Sequence, residues 1–258
     1  MDDLLVRTHV DGFIGEIELS NPPLNLMTVV MIRQLRNAIR ELTRNEELRA
    51  VIVHGSSARA FSAGSDMREF EEVRKEAADK KILIENLMLR DLARIPVPTI
   101  AAIEGAALGG GFELALACDL RISGRSAKIG LPECRIGGLA SNGSQRLTKL
   151  IGPARAKEML FLGLTLTAEE ALQYGVINRV ADDGQALSMA REMANDIAER
   201  GPLSNKLAKM LVNAAVDVSV DDGVWLGIEA QERIFDSEDL LEGSRSFFER
   251  RSPVFKGK

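Results

Sequence analysis

Glu113 is the only charged residue between Glu104 and Asp119, in a segment otherwise built from Gly, Ala, Leu, Phe and Cys. A carboxylate in so apolar a stretch is costly unless it is paired or takes part in chemistry. Gly109-Gly110-Gly111 stand just before Phe112 and Glu113. Glycines at a helix start can present backbone N–H groups to an anion. Twenty residues after Glu113 a second acid, Glu133, follows Pro132 at a turn. Two acids and a set of amide donors suit proton transfer next to a carbonyl, one carboxyl holding a proton and the other accepting one. Taken singly, each feature has a plainer reading. Glu113 would be an ion-paired helix residue, Glu133 a loop acid, and the glycines a site of close helix–strand packing. No GK[ST] follows the glycines, which excludes a phosphate-binding P-loop.

These residues need a scaffold, and the chain alternates strand and helix patterns. Leu5 to Val10 and Phe13 to Leu19 flank Asp11-Gly12, a hairpin signal, with Phe13, Ile17 and Leu19 on one face. Ile32, Leu35, Ile39 and Leu42 recur at helical spacing, and the helix is expected to end near Asn45. Ala50 to Val53 reads as a buried strand, and Asp66 with Glu69 as the cap of a charged helix. A helix is expected over Ile82 to Arg94; Pro96 and Pro98 then precede a strand at Thr99 to Ile103. Gly110 to Cys118 reads as helix, Leu120 to Ser123 as strand, and Val176 to Val180 as the last strand. Thr167 and Glu170 form a capping box before Ala168 to Tyr174. Beyond Gly184 the pattern is helical throughout. The fold class is α/β with a helical C-terminal third.

Composition bounds the function. The 258 residues are 45% hydrophobic and 28% charged, with a net charge of −5. An acidic balance gives no support to binding a phosphate backbone, so no nucleic-acid partner is expected. No apolar run approaches the ~18 residues of a membrane span. Met1-Asp2-Asp3 is acidic where a secretory leader is basic, and Cys118 and Cys134 lack metal-site spacing. The expectation is a reduced, cytoplasmic chain with no membrane contact and no metal. Cys134 adjoins Glu133 but has no His near it in sequence. His9 and His54 lie in or beside strands, and Trp225, Phe235 and Phe247 sit in the helical tail; all of these read as structural.

From Val97 to Leu150 the chain resembles the signature region of the enoyl-CoA hydratase/isomerase (crotonase) superfamily. The resemblance is carried by Pro98-Thr99-Ile100-Ala101-Ala102, Ala107-Leu108-Gly109-Gly110-Gly111-Phe112-Glu113-Leu114-Ala115, Ala117-Cys118-Asp119, Pro132-Glu133 and Gln145-Arg146-Leu147. Phe61-Ser62-Ala63-Gly64-Ser65-Asp66-Met67 upstream, Gly152-Pro153-Ala154-Arg155-Ala156, and Phe248 to Lys256 downstream fit the same pattern. It implies a spiral of ββα turns over residues 1–195 and a helical trimerisation region over 196–258, giving a homotrimer or a hexamer of paired trimers.

The resemblance also implies roles. The backbone N–H groups of Ser65 and Gly110 would form an oxyanion hole for a thioester carbonyl, and Glu113 and Glu133 would be the two hydratase carboxylates, Glu113 on the water and Glu133 on the α-carbon proton. Coenzyme A, part of the substrate rather than a separate cofactor, would be held by Arg59, Ala63, Ser65, Asp66 and Met67, with Phe247 and Arg250 reaching the coenzyme A of a neighbouring subunit. For Asp66 an N-cap role competes with this, and for Arg59 and Arg250 a solvated surface charge does. The expected activity is hydration of a 2-enoyl-CoA; the alternatives are an isomerase using a single acid at Glu133, another crotonase-type lyase or hydrolase, and a non-catalytic binder. One departure stands out. Gly137 to Ser144 replaces the family's proline-containing loop and is one residue shorter, placing Ser141 and Asn142 near the acyl end, which favours a substituted acyl chain. Arg68 to Lys81, rich in charge, reads as a flap.

Overall fold

The computed structural model describes residues 4–56 and 59–258; the acidic start at 1–3 lies outside the described residues. Strands β1 (Val6–Asp11) and β2 (Ile14–Leu19) form the expected hairpin, with Gly12 at φ +54° in its two-residue turn. Phe13 belongs to that turn rather than to the strand and lies under the Arg49 guanidinium. Helix α1 (Val29–Thr43) follows, burying Ile32, Leu35, Ile39 and Leu42 as their spacing predicts.

The chain then winds through three ββα turns. The first contains β3 (Ala50–Gly55), β4 (Ala60–Ser62), the single-turn helix α2 (Phe70–Val73) and α3 (Leu83–Ala93). The second contains β5 (Thr99–Ile103), β6 (Ala106–Leu108) and α4 (Gly110–Ala117). The third contains β7 (Leu120–Gly124), β8 (Lys128–Gly130) and α5 (Ser141–Leu162), which is broken at Gly152-Pro153. Strand β9 (Thr165–Thr167), α6 (Ala168–Tyr174), β10 (Arg179–Ala181) and α7 (Ala186–Ala198) complete the body. Helices α8 (Pro202–Ala215), α9 (Val220–Phe235) and α10 (Glu238–Glu249) follow. Helix α7 runs through the expected division at 195/196.

Each turn gives one strand to each of two sheets. The larger is ordered β1-β2-β3-β5-β7-β10, parallel from β2 onward; the smaller is β4-β6-β8-β9, parallel except for its last pair. Alternate residues of β3 explain why it reads as continuously apolar. Val51 and Val53 join the main core under α1, α3 and α4, whereas Ala50 and Ile52 face Ala186, Ala190 and Ala194 of α7. The last strand differs from the expected Val176–Val180. Val176 and Ile177 are buried in the main core, while Arg179–Ala181 pair with β7. Apolarity there marks core packing, not sheet pairing. Among the described residues no helix is long and apolar enough to cross a membrane, and Cys118 and Cys134 are free thiols.

One glycine lets α4 sit against the end of β4. A Cβ built on Gly111 would stand 2.1 Å from the Ser62 carbonyl oxygen, so α4 rests directly on the end of β4. Gly111→Ala is therefore expected to destabilise the fold by about 3 kcal/mol or more, despite alanine's better helix propensity. Thermal melting checks this, and an unchanged Tm would contradict it.

Candidate active site

Strand β4 of the first ββα turn ends, and helix α4 of the second begins, at one place. Loop 63–66 is pinned from the other side: Ala63 N–H donates to Leu24 O (2.9 Å), Met27 N–H to Gly64 O (2.8 Å) and Asp66 N–H to Met27 O (3.3 Å). Behind it Asn25, fully buried, donates from Nδ2 to the Ala60 and Phe61 carbonyls. Gly64 (φ +97°) brings this loop against α4; a Cβ on it would lie 3.3 Å from Gly110 N. Gly110 is the first residue of α4, so its N–H has no carbonyl one turn back to bond. Ser65, next along the loop after Gly64, has its Oγ 3.5 Å from where a Gly110 Cβ would stand, beside a helix N-terminus, where negative charge is stabilised.

Ser65 and Gly110 border a cavity of about 840 Å³ lined by Ala63, Ser65, Asp66, Met67, Gly109, Gly110, Glu113 and Glu133, among others. Both sequence-predicted carboxyls are therefore in one pocket with Ser65 and Gly110. Glu113, 5% exposed, projects from α4 and accepts a 2.6 Å hydrogen bond at Oε1 from Gly143 N–H. That donor has a clear origin. Ser141–Ser144 are the first turn of α5 rather than a loop, and α5 has no side-chain cap of its own. Glu113 fills the role of the missing cap. Ser141 lines the cavity, but Asn142 does not.

Burial pushes the Glu113 carboxyl up to about 7; Glu85 and Glu133 add to this, and the Gly143 bond and Arg146 oppose it. Glu133 begins the 3₁₀ turn Glu133–Ile136, its Oε1 3.0 Å from where a Gly109 Cβ would stand. Its Oε2 is buried and meets no hydrogen-bond partner among the described residues. Burial, then Glu85, raises this carboxyl too. Both carboxyls are thus raised, in the direction that favours holding a proton.

The stability consequence has a definite sign. A carboxyl whose folded pKa is raised contributes stability below its unfolded value and loses it as pH rises through the folded one. For Glu113 the window runs from the ordinary 4.5 to about 7. Glu113→Gln is thus expected to melt higher than wild type at pH 8, by up to about 3 kcal/mol, with the gap closing near pH 4.5. Equal Tm differences at both pH values would contradict this.

Asp66 does cap a helical turn, accepting from Arg68 N–H, and its carboxylate is also gripped by the Arg68 guanidinium at 2.6 Å. That ion pair holds it below the usual carboxylate range. Arg59 is exposed at the entry to β4 and does not line the cavity. Phe247 and Arg250, at the end of α10, are exposed and also outside it. The 68–81 segment is built of single helical turns, ending in a π turn at Ala78–Ile82, and supplies one wall. Sequence reasoning gave no site role to two buried charged residues of the cavity, Lys81 and Glu85. Glu85 had a signal: it occupies the buried stripe of α3 with Met88, Leu89 and Leu92, a lone acid at apolar positions.

The model of the enoyl-CoA hydratase/isomerase family matches residues 10–258. The chain belongs to that family. Among relatives, the short-chain-enoyl-CoA hydratase of Clostridium acetobutylicum is 32% identical over 243 residues, covering 93% of each chain. The mitochondrial methylglutaconyl-CoA hydratase of Homo sapiens is 33% identical over 239 residues, covering 91% of this chain and 70% of that one. Among solved structures, the enoyl-CoA hydratase of Bacillus anthracis superposes with a TM-score of 0.92 at 32% identity, over 98% of this chain and all of the other. The ββα spiral is accordingly the crotonase fold of this family, whose enzymes act on acyl-CoA thioesters.

Proposed function

We propose that this family member is an enoyl-CoA hydratase, adding water across the 2,3-double bond of an enoyl-CoA thioester. The observation that carries this reading is the pairing of Glu113 and Glu133 in one cavity beside the Gly110 helix start. An isomerase needs one proton shuttle; two carboxyls allow one to activate water and the other to deliver a proton.

In the proposed reaction Glu113 takes a proton from water as its oxygen bonds to C3. The π electrons move toward the thioester, whose oxygen becomes an enolate held by the Ser65 and Gly110 N–H groups. Glu133 then gives its proton to C2, and the 3-hydroxyacyl thioester leaves. In this reading the coenzyme A portion runs along Ala63, Asp66 and Met67, which line the cavity, with Arg59 toward its phosphates. Phe247 and Arg250 would serve a neighbouring subunit. That assignment needs a trimer or a hexamer, and α8–α10 expose apolar side chains suited to one, including Val220 (85%), Trp225 (68%) and Phe247 (78%).

The test is loss of the conjugated enoyl-thioester absorbance across trans-2-enoyl-CoAs of increasing length. Loss with formation of a 3-hydroxyacyl-CoA is expected. No loss across the panel would sink the hydratase reading.

A further inference from the structure

The cavity holds a polar pair for which the proposed hydration has no use. Glu85 is 8% exposed, lines the cavity from α3, and its Oε1 has no hydrogen-bond partner among the described residues. That oxygen lies 3.5 Å from where a Cβ on Gly110 would stand, as does the Ser65 hydroxyl oxygen. Glu85 therefore faces the space next to the oxyanion hole rather than the body of the core. Lys81, buried one helical turn earlier, lines the same wall. Its Nζ donates to Met27 O at 3.3 Å and sits 3.8 Å from Glu69. The π turn spanning Ala78–Ile82 contains Lys81, and such turns recur at functional sites.

An unpaired buried oxygen in a binding cavity selects its ligand. A plain alkyl chain packed there would strip Glu85 of water and return nothing, whereas a matching polar group restores the hydrogen bond. The polar group should be uncharged. Asp66, Glu85, Glu113 and Glu133 place four carboxyls around the cavity; of the cations that line it, Arg68, Arg74 and Lys81 face Asp66, Glu71 and Glu69, and Arg135 stands in the same turn as Glu133, on another element from Glu85. We propose that Glu85, supported by Lys81, is a specificity-determining residue that hydrogen-bonds a hydroxyl group on the acyl chain, so that the substrate is a hydroxylated rather than a plain alkyl enoyl thioester. Burial raises the Glu85 carboxyl against the pull of Lys81 and the Ser65 hydroxyl, and a protonated carboxyl both gives and accepts a hydrogen bond, as a hydroxyl does.

This inference rests on the hydratase reading, and one experiment separates the two. kcat/KM is measured for 2-pentenoyl-CoA, for its 4-hydroxy and 5-hydroxy counterparts, and for a terminally carboxylated enoyl-CoA. Wild type, Glu85→Leu and Glu85→Gln are compared. Leucine matches the apolar stripe of α3, so Glu85→Leu is compatible with folding. The expected wild-type result is a preference of about tenfold or more for one hydroxylated thioester over the alkyl one. In Glu85→Leu the order should reverse; in Glu85→Gln, which keeps hydrogen-bonding atoms, part of the preference should survive. Turnover without a hydroxyl preference in wild type overturns this inference alone, as does a preference that Glu85→Leu leaves intact. Selection of the carboxylated substrate overturns the assignment to an uncharged group. Inactivity toward every thioester overturns the hydratase reading itself.

Discussion

Glu113→Gln is expected to lower kcat/KM for hydration by about 10²–10⁴-fold, the range that one general acid–base group contributes. The substitution keeps the size of the side chain and an oxygen that can still accept from Gly143 N–H, the 2.6 Å bond that ties α4 to α5. What it removes is the ability to take a proton from water. The same variant should be more stable than wild type at pH 8, because it no longer carries a buried charge that forms only as pH rises to about 7. Activity and stability then move in opposite directions, which loss of folding cannot imitate. Steady-state kinetics beside melting curves read both. A variant that keeps wild-type hydration would remove Glu113 from the mechanism, and one that keeps only double-bond migration would point to a single-acid isomerase.

Replacing the Gly110 N–H should cost about 10²–10³-fold in kcat, the measured scale for one oxyanion-hole donor. Proline achieves this with limited damage to the helix, because Gly110 is the first residue of α4, where proline is tolerated. A Cβ at this position meets Glu85 Oε1 and Ser65 Oγ at 3.5 Å and Met27 Sδ at 3.6 Å, which is ordinary contact. Gly110→Ala keeps the donor and adds only that carbon, so it should lose less than Gly110→Pro. Equal kcat values for the two variants would mean that the N–H does not bind the developing charge. The contrast with Gly111 is instructive: one residue along, the added carbon strikes the Ser62 backbone at 2.1 Å.

The parts of the site readable in sequence are those whose types conflict with their surroundings. Glu113 stands out in an apolar segment, and the cavity explains why it is there. The glycines before it read as a helix start and are one. Longer elements, α1 by its helical period and β3 by its apolar run, sit where the sequence puts them. The smaller sheet escaped notice because β4, β6, β8 and β9 have three residues each, too few to show alternation. The 68–81 segment offered charge without period, and only its fold into successive single turns shows that it forms a cavity wall. The shortened stretch after Glu133 hid the first turn of α5, since Ser141-Asn142-Gly143 has loop-like composition and yet starts a helix. Glu85 was hidden differently. Its neighbours on the stripe, Met88, Leu89 and Leu92, made the segment read as an ordinary helix, and the acid among them drew no separate reading.

The central claim is that two carboxyls add water to a double bond, and the most direct measurement follows the atoms. Crotonyl-CoA is incubated with the wild-type protein in heavy-oxygen water and, separately, in deuterium oxide, and the product is read by mass spectrometry and NMR. The account predicts a 3-hydroxyacyl thioester with one heavy oxygen at C3 and, in deuterium oxide, one deuteron delivered to C2. Deuterium entering the chain with no oxygen gained would contradict it.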